Sequence, residues 1–381
     1  MRSSDFKPIK AFSLSLIVAC SSVLTLGVCF AEGQPNEKIR IALNLPLSGP
    51  IAAFSGQFPN AFSMGIEDGC KQFAVDKSHF DIDSQDNGGK PSQSVTVCQK
   101  QLMEKPSVYI SGTSQMSLPI APAVSHRGIP HIFVAFDAFI CRNGTNRLRF
   151  EPNFKIEAPV YVDYVRSRKA KRIYVLNCNY NSCNEQFDKL VLPELTKLGV
   201  DYKNERFDFD TKDYRSIALK VKQYNPDLII VSGYSVHLLP LISALRNYQL
   251  VHDGNVIATL DLIDLLHSKV DRNGLAGVAF TSPDYEIPGV VKDAPAWAKR
   301  YEQRFGKEPS YVEAYAYDTG RIFVSTYKRF GKIDGQSLRA VLPFYGICGK
   351  VTIDRDGDLN SKLHVAQVTP DGAIKQIDNR L

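Results

Sequence analysis

Short apolar runs alternate along most of the chain with longer segments whose apolar residues recur at helical spacing. Residues 39–45, 80–82 and 108–110 have the length and composition of buried strands. Between them, residues 61–73 and 92–103 carry apolar side chains three or four positions apart, which predicts amphipathic helices. Strands that alternate with helices form a parallel sheet with helices on its faces. The first part of the chain is therefore predicted to be an α/β unit.

A second series of the same kind follows residues 148–159, a stretch without a continuous period that we interpret as a connection. Its predicted strands are residues 173–176, 202–209, 228–231, 256–260 and 278–281, and its predicted helices are residues 185–198, 213–224 and 236–248. The chain has 381 residues and is 44% hydrophobic, which is enough for two domains. The sequence predicts two α/β lobes.

The end of the chain has a different pattern. Residues 294–305 and 311–330 are predicted helices, and the second is rich in aromatic residues that we assign mainly to the core. Two strand-like segments, 349–353 and 364–368, flank the acidic loop of residues 354–358. A calcium loop would have Glu at its twelfth position, which here is Val365. We therefore predict a tight turn and no calcium site.

The first 31 residues have the composition of an export signal peptide. Arg2, Lys7 and Lys10 precede an apolar stretch of 18 residues, and small residues follow at the positions that a signal peptidase recognises. A permanent membrane anchor is one alternative, because 18 residues is near spanning length. Lipid attachment at Cys20 is another. No later apolar run approaches that length, so we expect an exported, periplasmic protein without stable membrane insertion.

The charge pattern does not favour nucleic-acid binding. The formal net charge is +6, of which the leader contributes +2 and residues 32–381 contribute +4. The dense basic cluster at residues 166–172 (RSRKAKR) is followed at once by a predicted strand. A nucleic-acid interface would place stacking aromatic residues along a basic face. We interpret this cluster as a solvated helix end.

Six cysteines remain after the leader, and an even number in an exported chain indicates disulfides. The candidate pairs are Cys70 with Cys98, Cys178 with Cys183 and, by elimination, Cys141 with Cys348. Because six cysteines allow about fifteen pairings, the connectivity stays open. Metal binding is the alternative, but the chain has no CxxC or HxxxH spacing. No metal or other cofactor is expected.

Residues 108–139 combine two predicted strands with a polar turn and a small-residue helix between them. The strands end in Gly112-Thr113-Ser114 and in Ala135-Phe136-Asp137, without a glycine-rich nucleotide loop. In open α/β sheets, ligands bind at the carboxyl ends of the strands. These two strand ends are therefore predicted to form one wall of a small-molecule site.

Four segments together resemble the type I periplasmic binding proteins, in the branch of the leucine/isoleucine/valine-binding proteins of ABC importers. They are residues 39–54 (IRIALNLPLSGPIAAF), 112–135, 315–322 (YAYDTGRI) and 349–359 (GKVTIDRDGDL). The resemblance implies two Rossmann-like lobes joined by three crossovers, with the ligand between them. Lobe 1 would comprise residues 38–153 and 287–346, and lobe 2 would comprise residues 154–286 and 347–381.

The same resemblance implies roles for residues at the predicted strand ends. Ser114 would hold a ligand carboxylate through its hydroxyl and amide, and Ala135 would offer backbone groups. Asp261 lies close to the position of the acid that receives an amino acid's ammonium group. The aromatic candidates are Phe54, which stands where relatives often have a tyrosine, together with Tyr180 and Tyr234.

Asp137 departs from the family pattern, in which a threonine usually helps to hold the carboxylate. An ionised Asp in a dry cleft would repel a ligand carboxylate, and an unpaired buried charge costs several kcal/mol, about 3–5 in measured cases. Either Asp137 turns outward, or the ligand presents a cation or a hydroxyl to it. The substrate is therefore open.

These features predict a monomeric periplasmic receptor that delivers an amino acid or a related small polar solute to the permease of an ABC importer. The ligand would bridge the lobes and shift an open–closed equilibrium. One alternative is a sensory module that partners a receptor or regulator. The other is an exported two-lobe hydrolase, although the chain lacks a Gly-x-Ser-x-Gly elbow, a Walker loop and metal-ligand spacing.

Overall fold

The computed structural model describes residues 38–49, 51–142, 144–268 and 270–377, with the backbone alone at residues 53 and 54. The predicted export signal (residues 1–31) and the lipidation alternative at Cys20 lie outside the described residues. The side chain of Phe54 lies outside them too.

The first sheet is entirely parallel and has the strand order β2-β1-β3-β4-β5. Its strands are β1 (Ile39–Leu45), β2 (Phe80–Asp86), β3 (Val108–Gly112), β4 (His131–Val134) and β5 (Arg147–Leu148). The helices in this part are α1 (Ala52–Ser55), α2 (Phe58–Phe73), α3 (Pro91–Met103), α4 (Ser114–Ser117) and α5 (Ala121–His126). All residues of β3 and β4 are buried, as expected for inner parallel strands covered on both faces.

The second sheet has the strand order β14-β13-β10-β9-β8-β6-β7 and is parallel from β7 to β10. Up to β10 its part of the chain contains α6 (Phe154–Ser167), β6 (Arg172–Asn179), α7 (Asn181–Gln186), α8 (Leu192–Lys197), β7 (Asp201–Asp208), α9 (Arg215–Tyr224), β8 (Leu228–Ser232), α10 (Ser235–Asn247), β9 (Val256–Ala258), α11 (Leu262–Leu266) and β10 (Ala279–Ser282). A π-helical segment, Phe187–Val191, joins α7 to α8.

The interpretation of residues 148–159 as a connection was wrong for its second half, because α6 begins at Phe154. Asn153 caps this helix by accepting a hydrogen bond from the Lys155 N–H at 2.9 Å. Pro159 lies inside the helix and removes one backbone donor, which interrupts the sequence pattern. The basic cluster that follows is at the exposed carboxyl end of α6, where cations favour the helix dipole.

The remaining elements are α12 (Ala294–Phe305), α13 (Tyr311–Phe330), α14 (Gly335–Ala340), β11 (Phe344–Gly346), β12 (Gly349–Val351), β13 (His364–Val368) and β14 (Ile374–Ile377). Helix α13 packs backbone to backbone on α2. A Cβ added to Gly65 would lie 2.0 Å from the Tyr317 carbonyl oxygen, and one on Gly320 would lie 2.5 Å from that of Phe62. The aromatic helix is thus attached to the first sheet.

Strand β13 returns to the second sheet, where it pairs antiparallel with β10 and β14. Within the described ranges the chain passes between the sheets three times, after β5, after β10 and after α14. This confirms the predicted fold class; the residue boundaries of the lobes stay a prediction. The predicted turn at residues 354–358 is confirmed, because an Ile353–Leu359 bridge closes it and Asp354 Oδ1 accepts three of its backbone N–H groups.

Candidate functional site

The sequence-predicted residues lie where connections leave a sheet in opposite directions. Strand β1 is flanked by β2 and β3, and the chain after β3 leads into Ser114. Strand β6 is flanked by β7 and β8, and the segments after β6 and β8 carry Tyr180 and Tyr234. Such switch points leave a crevice at the carboxyl edge of an α/β sheet. Each sheet therefore contributes one crevice.

Two contacts join these edges to each other. The Tyr180 hydroxyl lies near the side chain of Gln115, which lies in α4. The Asp137 carboxyl, just after β4, lies near the Glu185 carboxyl in α7 and raises the pKa of Glu185. The carboxyl edges of the two sheets consequently face each other across one cleft.

Asp137 does not turn outward, because its side chain is only 8% exposed. One carboxyl oxygen accepts the Phe139 N–H at 2.8 Å, while the other side of the cleft presents Glu185. Burial and the neighbouring Asp137 raise the pKa of Glu185, which also forms an ion pair with Lys189 at 2.6 Å. Asp137 thus joins the two walls in this structure.

The end of β4 is satisfied by groups of the protein itself. Ser114 Oγ accepts the Asp137 N–H at 3.1 Å, and the Ala135 N–H lies near the Glu151 carboxyl. The Arg149 guanidinium donates to the carbonyl oxygens of Ala135 and Asp137. The structure therefore brings Ser114, Ala135 and Asp137 together, but mostly through bonds to one another and to their neighbours.

Arg149 is itself an entirely buried cation. It forms an ion pair with Asp358 at 2.6 Å, and neither side chain is exposed. Lys155 lies beside the same loop, 2.5 Å from Asp354 and 3.2 Å from Asp356. These positive charges are already matched by acids of the loop at residues 354–358.

Three aromatic rings lie together on the other wall. Tyr180 lies 5.5 Å from Tyr234 and 5.2 Å from Phe209, and Phe209 lies 5.8 Å from Tyr234, measured between ring centroids. The Tyr234 hydroxyl is 2.9 Å from Ser182 Oγ. Phe209, which the sequence interpretation missed, follows β7 and is 39% exposed. Its signal was an apolar ring at the end of an otherwise polar strand.

His237 holds two of these rings in place. Its Nδ1 accepts the Tyr234 N–H at 3.2 Å, so its Nε2 carries the proton and donates to the Phe209 carbonyl at 2.8 Å. Burial lowers the pKa of His237, which favours this neutral form. The orientation of the aromatic group is thus set by one buried imidazole.

Asp261 lies three residues after the end of β9, at the same edge as Tyr234. The Thr259 hydroxyl is 3.0 Å from Asp261 Oδ2 and 3.2 Å from the Gly233 carbonyl, so its single hydrogen serves two acceptors. The surrounding protein and the nearby Asp264 raise the pKa of Asp261 well above its usual range. The same causes, desolvation and a neighbouring acid (Glu313), raise the pKa of Asp264 to about 7.

Two further acids near this point were missed by the sequence interpretation. Glu157 is fully buried and accepts from Tyr161, Gln186, Thr281 and the Leu260 N–H, at 2.5–3.0 Å. Glu151, between β5 and α6, is also buried, and burial raises its pKa to about 8. Its Oε1 has no hydrogen-bond partner within the described part of the chain. Both acids lie in or beside the stretch interpreted as a connection, where no pattern marked them.

Tyr311, at the start of α13, stands among these acids. Burial raises its pKa, and the charges of Asp264, Asp261 and Glu151 act in the same direction. Its backbone N–H donates to Glu286 Oε1 at 2.6 Å, which fixes the beginning of the helix. Tyr311 was assigned to the core from the sequence, and its ring is indeed 2% exposed.

The six cysteines of the described chain are buried free thiols, so the structure contains none of the three expected disulfides. Cys178 lies near Cys183 and raises its pKa. The remaining thiols contact or approach other groups, namely Tyr109 for Cys98, Asp358 for Cys141, Asp318 for Cys348 and the acids of the α2 end for Cys70.

Searching the residues described, we find no helix long and apolar enough to cross a membrane.

The family profile described as "Periplasmic binding protein" matches residues 38–373. The chain belongs to this family. The predicted family is thereby confirmed.

Relatives support the same assignment at low identity. The Leu/Ile/Val-binding protein BraC3 of Rhizobium johnstonii is 22% identical over 360 residues, which are 90% of this chain and 94% of BraC3. The substrate-binding protein LivJ of Streptococcus pneumoniae, solved with isoleucine, has a TM-score of 0.75 and 16% identity, covering 90% of this chain and 99% of LivJ.

A solute-binding protein of an ABC transporter from Rhodopseudomonas palustris, solved with 3,4-dihydroxybenzoic acid, has a TM-score of 0.75 at 20% identity. That alignment covers 90% of this chain and 96% of the relative. At these identities the similarity establishes a shared fold. The two solved relatives hold chemically different ligands on it.

Proposed function

We propose that this protein is a periplasmic solute receptor of an ABC importer that binds a small polar solute of amino-acid size between its lobes. The observation that carries this proposal is the meeting of the two sheet edges through Tyr180 with Gln115 and Asp137 with Glu185. A ligand that contacts both edges would stabilise this closed arrangement by its differential affinity for it. Membership of a binding-protein family supports the same conclusion.

The moving parts would be lobe 1, residues 38–153 and 287–346, and lobe 2, residues 154–286 and 347–381. Ligand contacts would come from Ser114, Ala135, Asp137 and Phe54 on the first lobe and from Tyr180, Tyr234 and Asp261 on the second. Their position at the switch points of the two sheets supports this assignment. Asp137 would act mainly as the residue that meets lobe 2 on closure.

Export by the signal peptide would place the monomeric mature protein in the periplasm, where disulfides persist. We infer that Cys178 and Cys183 form a disulfide there, because their thiols lie near each other. The bridge would anchor the loop that carries Tyr180. Mass spectrometry of alkylated, unreduced protein tests this: one tryptic peptide that contains both cysteines and is lighter by two hydrogens is expected. Two alkylated thiols on periplasmic material would contradict it.

Binding and closure are tested together on the purified mature protein. A thermal-shift screen over amino acids, amides, amines and short organic acids identifies a solute, since a ligand at about 100 times its Kd adds about 2.7 kcal/mol of stability. Small-angle scattering should then show a smaller radius of gyration with that solute. Turnover of the solute would favour the hydrolase instead.

An experiment in cells distinguishes transport from sensing. Deleting the gene should abolish uptake of the identified radiolabelled solute if the chain is an importer receptor. Unchanged uptake, together with a changed transcriptional response to the solute, would favour the sensory module.

A further inference from the structure

Three titratable side chains meet beside the crossover that follows β10. His267 lies directly after α11, Glu286 lies in the crossover itself, and Glu308 lies between α12 and α13. His267 Nε2 is 2.8 Å from Glu286 Oε2, and His267 Nδ1 is 3.7 Å from Glu308 Oε2. We call these three residues the crossover histidine cluster. Each ring nitrogen of His267 is thus close to a different carboxyl.

The cluster connects elements that are attached to different sheets. Helix α11 lies between β9 and β10 of the second sheet. Helix α12 is joined to α2 by an ion pair between Arg304 and Glu67 at 2.6 Å, and α13 packs on α2 as described above. Glu286 Oε1 accepts the Tyr311 N–H at 2.6 Å, while its Oε2 meets His267. One carboxylate therefore connects the beginning of α13 to the end of α11.

Both sides of this connection lead directly into the cleft. Asp261 immediately precedes α11, and Tyr311 is the first residue of α13. Because α11 has only five residues, His267 at its end and Asp261 at its beginning move together. An interaction that keeps His267 beside Glu308 consequently favours the arrangement in which the two walls of the cleft face each other.

The geometry of the cluster suits an imidazolium, which has a hydrogen on both ring nitrogens. A neutral imidazole that donates to Glu286 through Nε2 has no hydrogen on Nδ1. Nδ1 of His267 is buried and has no hydrogen-bond partner within the described residues, although Glu308 Oε2 is 3.7 Å away. Burial opposes the charge of His267, but Glu286 and Glu308 outweigh it, so its pKa lies above the ordinary 6.5.

A second histidine beside the same crossover lacks this arrangement. His364 Nε2 is 2.6 Å from Asp284 Oδ1, and its Nδ1 is 2.9 Å from the Gln376 amide nitrogen. An amide nitrogen only donates, so Nδ1 of His364 accepts and Nε2 carries the proton. The neutral form of His364 thus has a partner at each nitrogen, whereas neutral His267 does not.

Other charged and titratable groups also face the cluster, and they differ in sign. Within the described part of the chain they come from each neighbouring element: Asp264 on α11, Tyr285 on the crossover, Lys307 before α13, Tyr311 and Glu313 on α13, and Arg272 after α11. Burial, and after it the charge of Glu313, raises the pKa of Asp264 to about 7. Asp264 therefore changes charge in the same pH range as His267, and an experiment has to separate the two.

Solvent reaches the cluster directly. A cavity of about 270 Å³ lies beside it, and all three of its side chains line that cavity. The side chain of Glu308 is 58% exposed, and that of His267 is 14% exposed. The charge of His267 can therefore follow the pH of the solution without a rearrangement of the fold.

From these contacts, and resting on the proposed receptor function, we propose that protonation of His267 favours the closed arrangement, so that the receptor holds its solute more tightly as the pH falls. The imidazolium joins Glu286 and Glu308 and thereby holds α11 against the connection before α13. The neutral ring keeps one hydrogen bond to Glu286 and loses its attraction to Glu308. Stability from His267 is therefore full below about pH 6.5 and is lost as the pH rises through the higher pKa of the folded state.

His267→Gln is the matched variant, because its amide can still donate to Glu286 but cannot become charged. The ligand-free mature parent and variant are compared by small-angle scattering and urea titration between about pH 5.5 and about pH 8.5. We expect the radius of gyration of the parent to rise with pH. The ratio of closed to open protein should fall about tenfold for each unit by which the pKa of His267 differs between the two forms. The variant should show neither change.

The urea midpoint gives a second reading on the same samples. The advantage of the parent over His267→Gln should shrink as the pH rises. An equal pH dependence of the radius in parent and variant overturns the proposal. A stability difference that depends on pH while the radius does not also overturns it, because the ion pairs would then not act on closure.

Further variants assign the effect to the cluster. Glu308→Gln changes an exposed side chain and should reduce the pH dependence of the radius; if His267→Gln does not fold, an unchanged pH dependence in Glu308→Gln overturns the proposal. His252→Gln removes an exposed histidine before β9 and should leave the pH dependence as in the parent. Asp264→Asn should retain it, and its loss in this variant alone would assign it to Asp264 and overturn the proposal.

The outcomes distinguish this proposal from the receptor function. A solute from the wider screen that compacts the protein equally at both ends of the pH range leaves the receptor function standing and overturns the role of His267. A radius that depends on pH through His267, while no member of the screen binds, supports the role of His267 in closure and overturns the receptor function. If neither pH nor any solute changes the radius, both are overturned.

Discussion

The two walls of the cleft solve the problem of buried polar groups in opposite ways. At the end of β4, Ser114 accepts the Asp137 N–H, and Arg149 donates to the carbonyl oxygens of Ala135 and Asp137. At the end of β9, Asp261 and Asp264 face other acids and share few donors. The first arrangement contributes rigidity, whereas in the second the acids lack hydrogen-bond donors, which a ligand can supply. The comparison shows why the same strand-end position can be structural in one place and receptive in another.

Disrupting the hydrogen-bonded wall at the end of β4 should have the largest effect on stability. Arg149→Met leaves Asp358 buried without its closest partner and frees two carbonyls, which should lower the free energy of unfolding by about 3–5 kcal/mol. Denaturant titration measures this. Arg355→Met, in the same loop region but 95% exposed, should change it by less than about 0.5 kcal/mol. Equal, small effects of the two variants would contradict the structural role of Arg149.

An unpaired acid beside the first wall, Glu151, should show the opposite behaviour, through pH. The pKa of Glu151 is about 8 in the folded protein and ordinarily 4.5, so the folded state binds more protons between these values. Stability from this group is therefore full below about pH 4.5 and is lost as the pH rises towards about 8.

Glu151→Gln removes this loss. The variant should gain stability over the parent between pH 5 and pH 8, by an amount on the order of 2–4 kcal/mol at the upper end. Denaturation at several pH values gives the difference curve. A flat difference curve would mean that Glu151 is not held in its protonated form. Glu302→Gln is the exposed control.

The contact between the walls should have a smaller effect. Tyr180→Phe removes the hydroxyl that reaches Gln115 and keeps the ring among the aromatic residues. Closure, and with it solute affinity, should weaken by about 0.5–1.5 kcal/mol. Calorimetry with the identified solute measures this, with Tyr345→Phe, whose side chain is 69% exposed, as the control. An unchanged affinity would indicate that the Tyr180–Gln115 contact does not contribute to closure.

Replacing one member of the carboxyl pair should have the smallest effect. Glu185→Gln removes the charge that faces Asp137 but also loses the exposed ion pair with Lys189, and such pairs contribute about 0.2–1 kcal/mol. The two changes oppose each other, so we expect solute affinity to rise by no more than about 0.5 kcal/mol at neutral pH. A marked weakening of binding would show that the pair carries a shared proton that favours closure.

Much of this arrangement could be predicted from local patterns. The strand ends that carry Ser114, Tyr180, Tyr234 and Asp261 followed from hydrophobic runs and from the family resemblance, and the structure places them at the carboxyl edges of the two sheets. Helix α6 could not be predicted in full, because Pro159 interrupts its pattern. Glu151 lay in the same stretch and carried no local signal, so its unpaired oxygen appeared only in the folded protein.

The sequence by itself determined the α/β class, the two-lobe organisation and the family, because hydrophobic periodicity and turn residues are local properties. The tertiary structure decided which polar groups are already paired within the protein and which remain available to a ligand. Asp137 joins the two walls because Glu185 comes from the opposite lobe, and Arg149 is unavailable to a ligand because Asp358, 209 positions later, neutralises it. Such pairings depend on how distant segments meet, which no local pattern encodes.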